Sequence, residues 1–319
     1  MRVSAPVTAL DVVCLGIVVA DAIARPVDEL PERGGLGLLD EIALRGGGCA
    51  LNTASALAKL GLKTAVVGKV GDDALGDFVA SLLRERGVDG SGLLRDPDVP
   101  TSATVVLVDG TGERTFLHVP GANGALRAEE LDAALLYSGR ALHVAGSLVM
   151  SALDGEPTAE ILRGARTRGL LTSLDTVFDA TGRWERVLPS LPHLDLFTPG
   201  LAEARALTGE DDPPRIAARL RERGVREVAL TMGAEGVYVA GEGFEGRLEA
   251  VPVRAVDGTG SGDAFAAGLL YGKLAGWPFE RAARFANAAG ALATTALGAT
   301  EGVLGVEETL ALAGLTSSA

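Results

Sequence analysis

The sequence predicts an α/β fold, a mostly parallel sheet flanked by helices, with one small β-sheet laid over it as a lid. Two observations predict the layered core and a third predicts the lid. Short β-branched runs alternate with Ala/Leu/Arg-rich segments whose apolar residues recur every three to four positions, the pattern of strand-helix-strand units. Most of those helical segments stop at a glycine, a common helix terminator. Two stretches, at about 22–45 and 98–121, break the alternation and read as turns and short strands.

In chain order, residues 11–19 (DVVCLGIVV) form an apolar run suited to a buried strand, and 50–60 (ALNTASALAKL) a helix that ends at Gly61. Residues 64–70 predict the next strand and 75–86 a helix closed by Gly87. SATVVLVDG and ERTFLHV, separated by a glycine turn at 110–112, predict a hairpin. Strands follow at 141–145, 170–175, 194–198 and 227–232, and helices at 158–168, 214–223, 262–275 and 279–296. No low-complexity linker and no internal repeat divides the chain, so residues 1–319 read as one α/β domain carrying the lid as two insertions.

With 319 residues, 47% of them hydrophobic, the chain can bury a large core. Its 29 basic and 42 acidic residues give a net charge of −13, which disfavours nucleic acid as a partner. The two cysteines, Cys14 and Cys49, supply no disulfide framework and no metal-ligand spacing, and read as reduced packing residues. The first residues lead straight into a strand without a convincing cleavage site, and no apolar run approaches membrane-spanning length. A cytoplasmic protein without a membrane partner is expected.

The richest stretch is DGTGSGDAFAAG, residues 257–268. Glycines and small hydroxyl residues crowd a carboxylate where a loop enters a helix. Amides of Gly260, Ser261 and Gly262 can converge there on a phosphate, which the helix dipole also favours. Asp263 would repel that phosphate, so it reads better as a base that takes a proton from an attacking hydroxyl. The same residues also read as a glycine-rich turn with Asp263 as helix cap. A second glycine run, RGGGCALNTASALAKLG at 45–61, again precedes a helix and puts Asn52 in the first turn, where its amide can both donate to and accept from a polyol. Asp21, at the end of the first predicted strand, lies where α/β sheets bind ligands, and its carboxylate can accept two hydroxyl hydrogen bonds. Taken singly, Asn52 also reads as a cap and Asp21 as a turn residue.

GG-x-x-x-N-x-A at 47–54 and D-x-TG-x-GD at 257–263 together resemble the paired signatures of the ribokinase-like (PfkB) carbohydrate kinase family. Further matches at 16–21 (G-x-x-x-x-D), 70–76 (VGDDALG), 121–123 (GAN) and 231–236 (TMGAEG) spread the resemblance over nearly the whole chain. The resemblance implies a ribokinase-like fold, a doubly wound α/β core with a small β-sheet lid. It implies Asp263 as general base, with Gly260, Ser261 and Gly262 as the anion hole. Asp21, Gly47, Gly48 and Asn52 match positions that hold sugar hydroxyls. Thr231, Gly233 and Gly236 match the nucleotide loop, and Asn287 is placed beside the adenine. ATP and Mg2+ are the implied cofactors, with K+ as a further candidate at Asp257, Thr259 and the turn at 298–299.

Two positions depart from the family pattern. TPGLAEA puts Gly200 where the N-x-x-E motif has asparagine and keeps Glu203, which would then hold the metal through water. Gly258 replaces the commoner hydroxyl residue after Asp257. The reading that follows is an ATP-dependent kinase acting on the primary hydroxyl of a small sugar, a pentose or ketohexose. Nucleoside and sugar-acid kinases are the alternatives within the family, with Phe116 as a candidate for stacking a base and Arg114 or Arg183 for a carboxylate. A sugar-binding sensor without turnover is the alternative from another class. Lid sheets of the family often pair between subunits, so a homodimer through the lid is expected.

Overall fold

In the computed structural model of the chain, residues 10–178 and 181–316 are described. Among these, thirteen strands build two sheets. In chain order they are β1 (Val12–Gly16), β2 (Val19–Arg25), β3 (Glu41–Gly47), β4 (Thr64–Gly71), β5 (Asp89–Asp96), β6 (Ala103–Val108), β7 (Arg114–Val119), β8 (Ala141–Ser147), β9 (Leu171–Thr176), β10 (Leu196–Phe197), β11 (Glu227–Thr231), β12 (Val237–Gly241) and β13 (Phe244–Leu248). Helices follow the glycine-bounded pattern. They are α1 (Cys49–Lys59), α2 (Ala74–Glu85), α3 (Gly121–Ala125), α4 (Ala133–Leu136), α5 (Glu156–Thr167), α6 (Leu201–Thr208), α7 (Pro213–Glu222), α8 (Ser261–Leu274), α9 (Phe279–Ala293) and α10 (Val306–Leu312).

The large sheet has the order β13-β12-β11-β10-β9-β8-β1-β4-β5, parallel from β11 through β5 and antiparallel over its last two strands at the other edge. Alternate residues of its strands serve two cores. Val12 and Cys14 of β1 point into a core shared with α1, α8 and α9, whereas Val13 and Leu15 point into one built with α5 and α7. The chain runs outward from β1 in both directions, to β4 and to β8, so the crevice where strand order reverses lies above β1 and β8. Ligands of open α/β sheets bind in such a crevice.

The second sheet, β3-β2-β6-β7, is assembled from the two stretches that broke the helix-strand alternation. The run at 11–19, expected as one strand, divides here: β1 ends at Gly16, and Val19 already belongs to the second sheet. Asn123 holds this junction, because its Nδ2 donates to Val18 O at 2.9 Å and its Oδ1 accepts from Val18 N at 3.1 Å. Asp21 consequently sits inside β2, and not at the end of the first strand. The helix expected at 279–296 ends at Ala293.

Register and alternation give the small sheet two unlike faces. Leu44, Ala22, Val105 and Leu117 lie abreast on one face with Ile42 and Val119, and the large side chains of Ile42, Leu44, Val105, Leu117 and Val119 are exposed. Asp21, Thr104 and His118 lie abreast on the other, with Arg114 and Phe116.

Candidate active site

Gly48 caps α1 with φ 90°, a backbone conformation favoured by glycine, and a Cβ there would come within 2.5 Å of Ile17 O. This tight entry presents Asn52 from the first turn of α1, only 4% exposed. Its Nδ2 donates to Asp263 Oδ2 at 2.8 Å across 211 residues of sequence. Asp263 lies in the first turn of α8, which Gly260 caps in the left-handed region at φ 74° against Ala299 O.

Asp263 is buried, and its carboxyl is pushed up to about 7, first by burial and then by the neighbouring Asp175. Hydrogen bonds from Asn52 and the Cys49 thiol pull the other way. Asp175, at the C-terminal end of β9, accepts from Gly146 N and stands 3.5 Å from His143 Nε2. Asp175 and His143 drew no notice in the sequence. The available signal was an acid closing a predicted parallel strand, the same signal that marked Asp21.

The lid side of the site is organised around Asp21. Burial pushes its carboxyl above the ordinary range, and Thr104, which lies 3.1 Å from His118 Nδ1, hydrogen-bonds it. A Cβ on Gly47 would fall on Asp21 Oδ2, so the absence of a side chain at 47 gives the carboxylate its position. Arg114 crosses from the lid to the core: Nη1 donates to Asp257 Oδ1 at 2.6 Å and reaches Thr259 Oγ1. Asp257 also accepts from Thr259 N and Oγ1 on Oδ1 and from Gly298 N on Oδ2, and these donors hold its carboxyl below the ordinary range despite burial. The motif loop at 257–260 is therefore braced from both sides.

A cleft of about 490 Å³ adjoins the start of α8. It is lined by Thr231, Gly233, Gly236 and Asn287 together with Ser261 and Gly262, so the residues assigned to the nucleotide and two of those assigned to the anion hole share one space. Asn287 Nδ2 donates to Glu249 O at 2.7 Å, which fixes the segment forming the cleft's far wall. Glu203 lies in the first turn of α6. Its Oε2 accepts from Gly200 N at 3.0 Å and from Thr176 Oγ1, while burial and Asp175 push its carboxyl upward. A larger concavity of about 870 Å³ contains none of the motif residues. Its charges are largely paired, with Lys273 2.8 Å from Glu227 and Arg226 2.9 Å from Asp195, so size does not mark the site.

The model of the pfkB family carbohydrate kinases matches residues 9–304. The chain is 32% identical over 285 residues to the 2-dehydro-3-deoxygluconokinase of Bacillus subtilis (strain 168), covering 85% of this chain and 87% of that protein. It is 31% identical over 267 residues to a fructokinase of Vibrio alginolyticus, covering 79% and 86%. Among solved structures, the fructokinase of Xylella fastidiosa with bound ATP superposes with a TM-score of 0.81 at 26% identity, covering 95% of this chain and 97% of that one. The ribokinase of Arabidopsis thaliana complexed with ribose and ATP gives 0.81 at 23% identity, covering 97% and 100%, a likeness of fold. On the match over residues 9–304, carried by a ribokinase fold, the chain belongs to the pfkB family of carbohydrate kinases.

Proposed function

We propose that this kinase transfers the terminal phosphoryl group of ATP to the primary hydroxyl of a small free sugar, a pentose or ketohexose, with Asp263 as general base. The observation that carries the reading is the buried Asn52-Asp263 hydrogen bond at the head of α8, between the lid's Asp21 and the cleft lined by Ser261 and Gly262. Asp21, Gly47, Gly48 and Asn52 hold the sugar. Gly47 and Gly48 let the backbone come close, and Asp21, fixed through Thr104, accepts from hydroxyls. Asn52 orients Asp263, which takes the proton from the attacking oxygen. Amides of Gly260, Ser261 and Gly262 at the start of α8 stabilise charge developing on the phosphoryl group.

The nucleotide fits the cleft on the chemistry of its walls: Gly233, Gly236, Ser261 and Gly262 leave room beside main-chain donors, and Thr231 and Asn287 supply side-chain polarity. A Cβ at Gly262 would meet nothing within 4 Å, so ligand atoms can approach that amide. For Mg2+, the half-buried Glu203 offers hard oxygen and would hold the ion through water. When bound, Mg2+ neutralises phosphate charge. A K+ ion does not fit the Asp257 carboxylate as it stands, because Thr259, Gly298 and the Arg114 guanidinium already satisfy it. No step is assigned to a monovalent cation.

Arg114 is committed to Asp257 and Thr259, which favours a neutral sugar over a sugar acid as acceptor. The exposed apolar face of the lid supports a homodimer formed through that sheet. A panel of pentoses, ketohexoses, nucleosides and sugar acids, assayed by nucleotide consumption, identifies the acceptor. Asp263→Asn is expected to bind both ligands while kcat falls by about 10²–10⁴-fold. Near-normal turnover in that variant, or sugar binding by the parent without stimulated turnover, would overturn the reading.

A further inference from the structure

Cys49 opens α1 three residues before Asn52, a spacing that puts both side chains on one helix face. Its thiol lies against Asp263, and Asp175 comes up beside them from the end of β9. The Cys49 sulfur and one carboxylate oxygen each from Asp175 and Asp263 all lie within 4.8 Å of one another. The surroundings are short of partners. Asn52 Oδ1, on the amide whose nitrogen holds Asp263, is buried with no hydrogen bond, and so is His143 Nε2, 3.5 Å from Asp175 Oδ2. Two carboxylates and a thiol thus share one space with an unpartnered amide oxygen and an imidazole nitrogen. Buried like charges are costly unless a cation joins them.

The donor set selects the kind of cation. Mg2+ and Ca2+ take oxygen alone, whereas a thiolate with carboxylates suits a borderline-soft ion that accepts four ligands. We propose that Cys49, Asp175 and Asp263 bind one zinc-type transition-metal dication, with Asn52 Oδ1 as the fourth donor, and that the bound ion inhibits the kinase. Binding forms a metal-sulfur bond and releases the thiol proton to solvent. The inhibition rests on the reading of Asp263 as general base, since a carboxylate bonded to the ion cannot accept the sugar's proton. The binding itself does not depend on that reading.

Cobalt(II) titration of the reduced, metal-free full chain tests the site directly, because cobalt bound to a thiolate gains a near-ultraviolet charge-transfer absorption. One equivalent is expected to produce the band, and Zn2+ to displace it. Cys49→Ala and Cys49→Ser should both lack it, while Cys14→Ala retains it. Asp175→Asn should weaken cobalt binding by roughly tenfold or more, the loss seen even for groups that only orient a ligand. No band in the parent chain, or a band that persists in both folded Cys49 variants, overturns the site. In kinase assays without chelating buffers, Zn2+ should inhibit the parent, and Cys49→Ser should need at least about tenfold more. A metal site proven by cobalt but without effect on turnover would sink the inhibitory claim and the base assignment together, leaving the binding site standing.

Discussion

At the scale of the residue, Asp263 is placed where ionisation is unfavourable. Its carboxyl titrates near 7 in the folded chain and near 4 in the unfolded one, so between those values the folded state holds the extra proton. Stability therefore falls as pH rises through that window and levels off above it. Asp263→Asn removes the effect, and its melting temperature relative to the parent should climb from pH 5 to pH 8, measured by calorimetry at both. With Asp263 as the proposed base, catalysis runs in the opposite sense, because that role requires the ionised form: kcat/KM should rise with pH to a plateau with a midpoint of about 7. Asp175→Asn removes a neighbouring negative charge and should move that midpoint downward in a pH-rate profile; an unmoved midpoint would separate the two carboxylates electrostatically. Gly47→Ala would drive a methyl group into Asp21, and the KM for sugar should rise by about tenfold, in the range expected for weakened hydrogen bonds to a charged group. Asp263, Asn52 and the two glycines were legible because each stands in a local pattern with a mechanical reason. Asp175, His143 and the hydrogen bond across 211 residues were not, because the fold alone brings them together.

At the scale of the element, an arginine ties the lid hairpin to the core. Arg114 leaves β7 and joins Asp257 and Thr259 in the loop that leads into α8, so the position of the lid and the shape of the anion loop are coupled. Arg114→Ala should lower kcat/KM by about tenfold and raise the share of nucleotide hydrolysed without transfer to sugar, since a loosened lid admits water. It also uncovers Asp257, so added K+ should stimulate the variant more than the parent. Equal K+ responses would show that the guanidinium does not stand in for a cation. The sequence marked Arg114 only as a candidate for a substrate carboxylate, because nothing local distinguishes a tether from a ligand-binding or solvated side chain. Strands β5, β12 and β13 also escaped notice. Asp89–Asp96 is glycine-rich and charged, and β12 and β13 form an antiparallel edge whose short runs resemble the turns around them. The buried parallel strands were readable because both their faces are apolar.

At the scale of the whole molecule, the two sheets divide the labour. The large sheet supplies the crevice, and the small one presents polar groups inward and Ile42, Leu44, Val105, Leu117 and Val119 outward. An exposed apolar sheet face of this kind favours association, and the proposed homodimer would let two copies cover each other's. Light scattering should report a dimer, and Leu117→Glu with Val105→Glu should yield monomers with the core intact. A monomeric parent at micromolar concentration would refute the pairing. The lid's existence was visible as a break in rhythm, and its two-faced character followed only once strand register was known. Among the described residues no helix is long and apolar enough to cross a membrane.

The contact between Asn52 and Asp263 has a consequence for biosynthesis. The carboxylate proposed to take the proton and the amide that aims it come from distant parts of the polypeptide, so a ribosome-bound fragment that already holds the strands of both sheets still lacks Asp263. Truncated products ending before α8 should bind sugar weakly and consume no nucleotide, and the cell is spared a half-made nucleotide hydrolase.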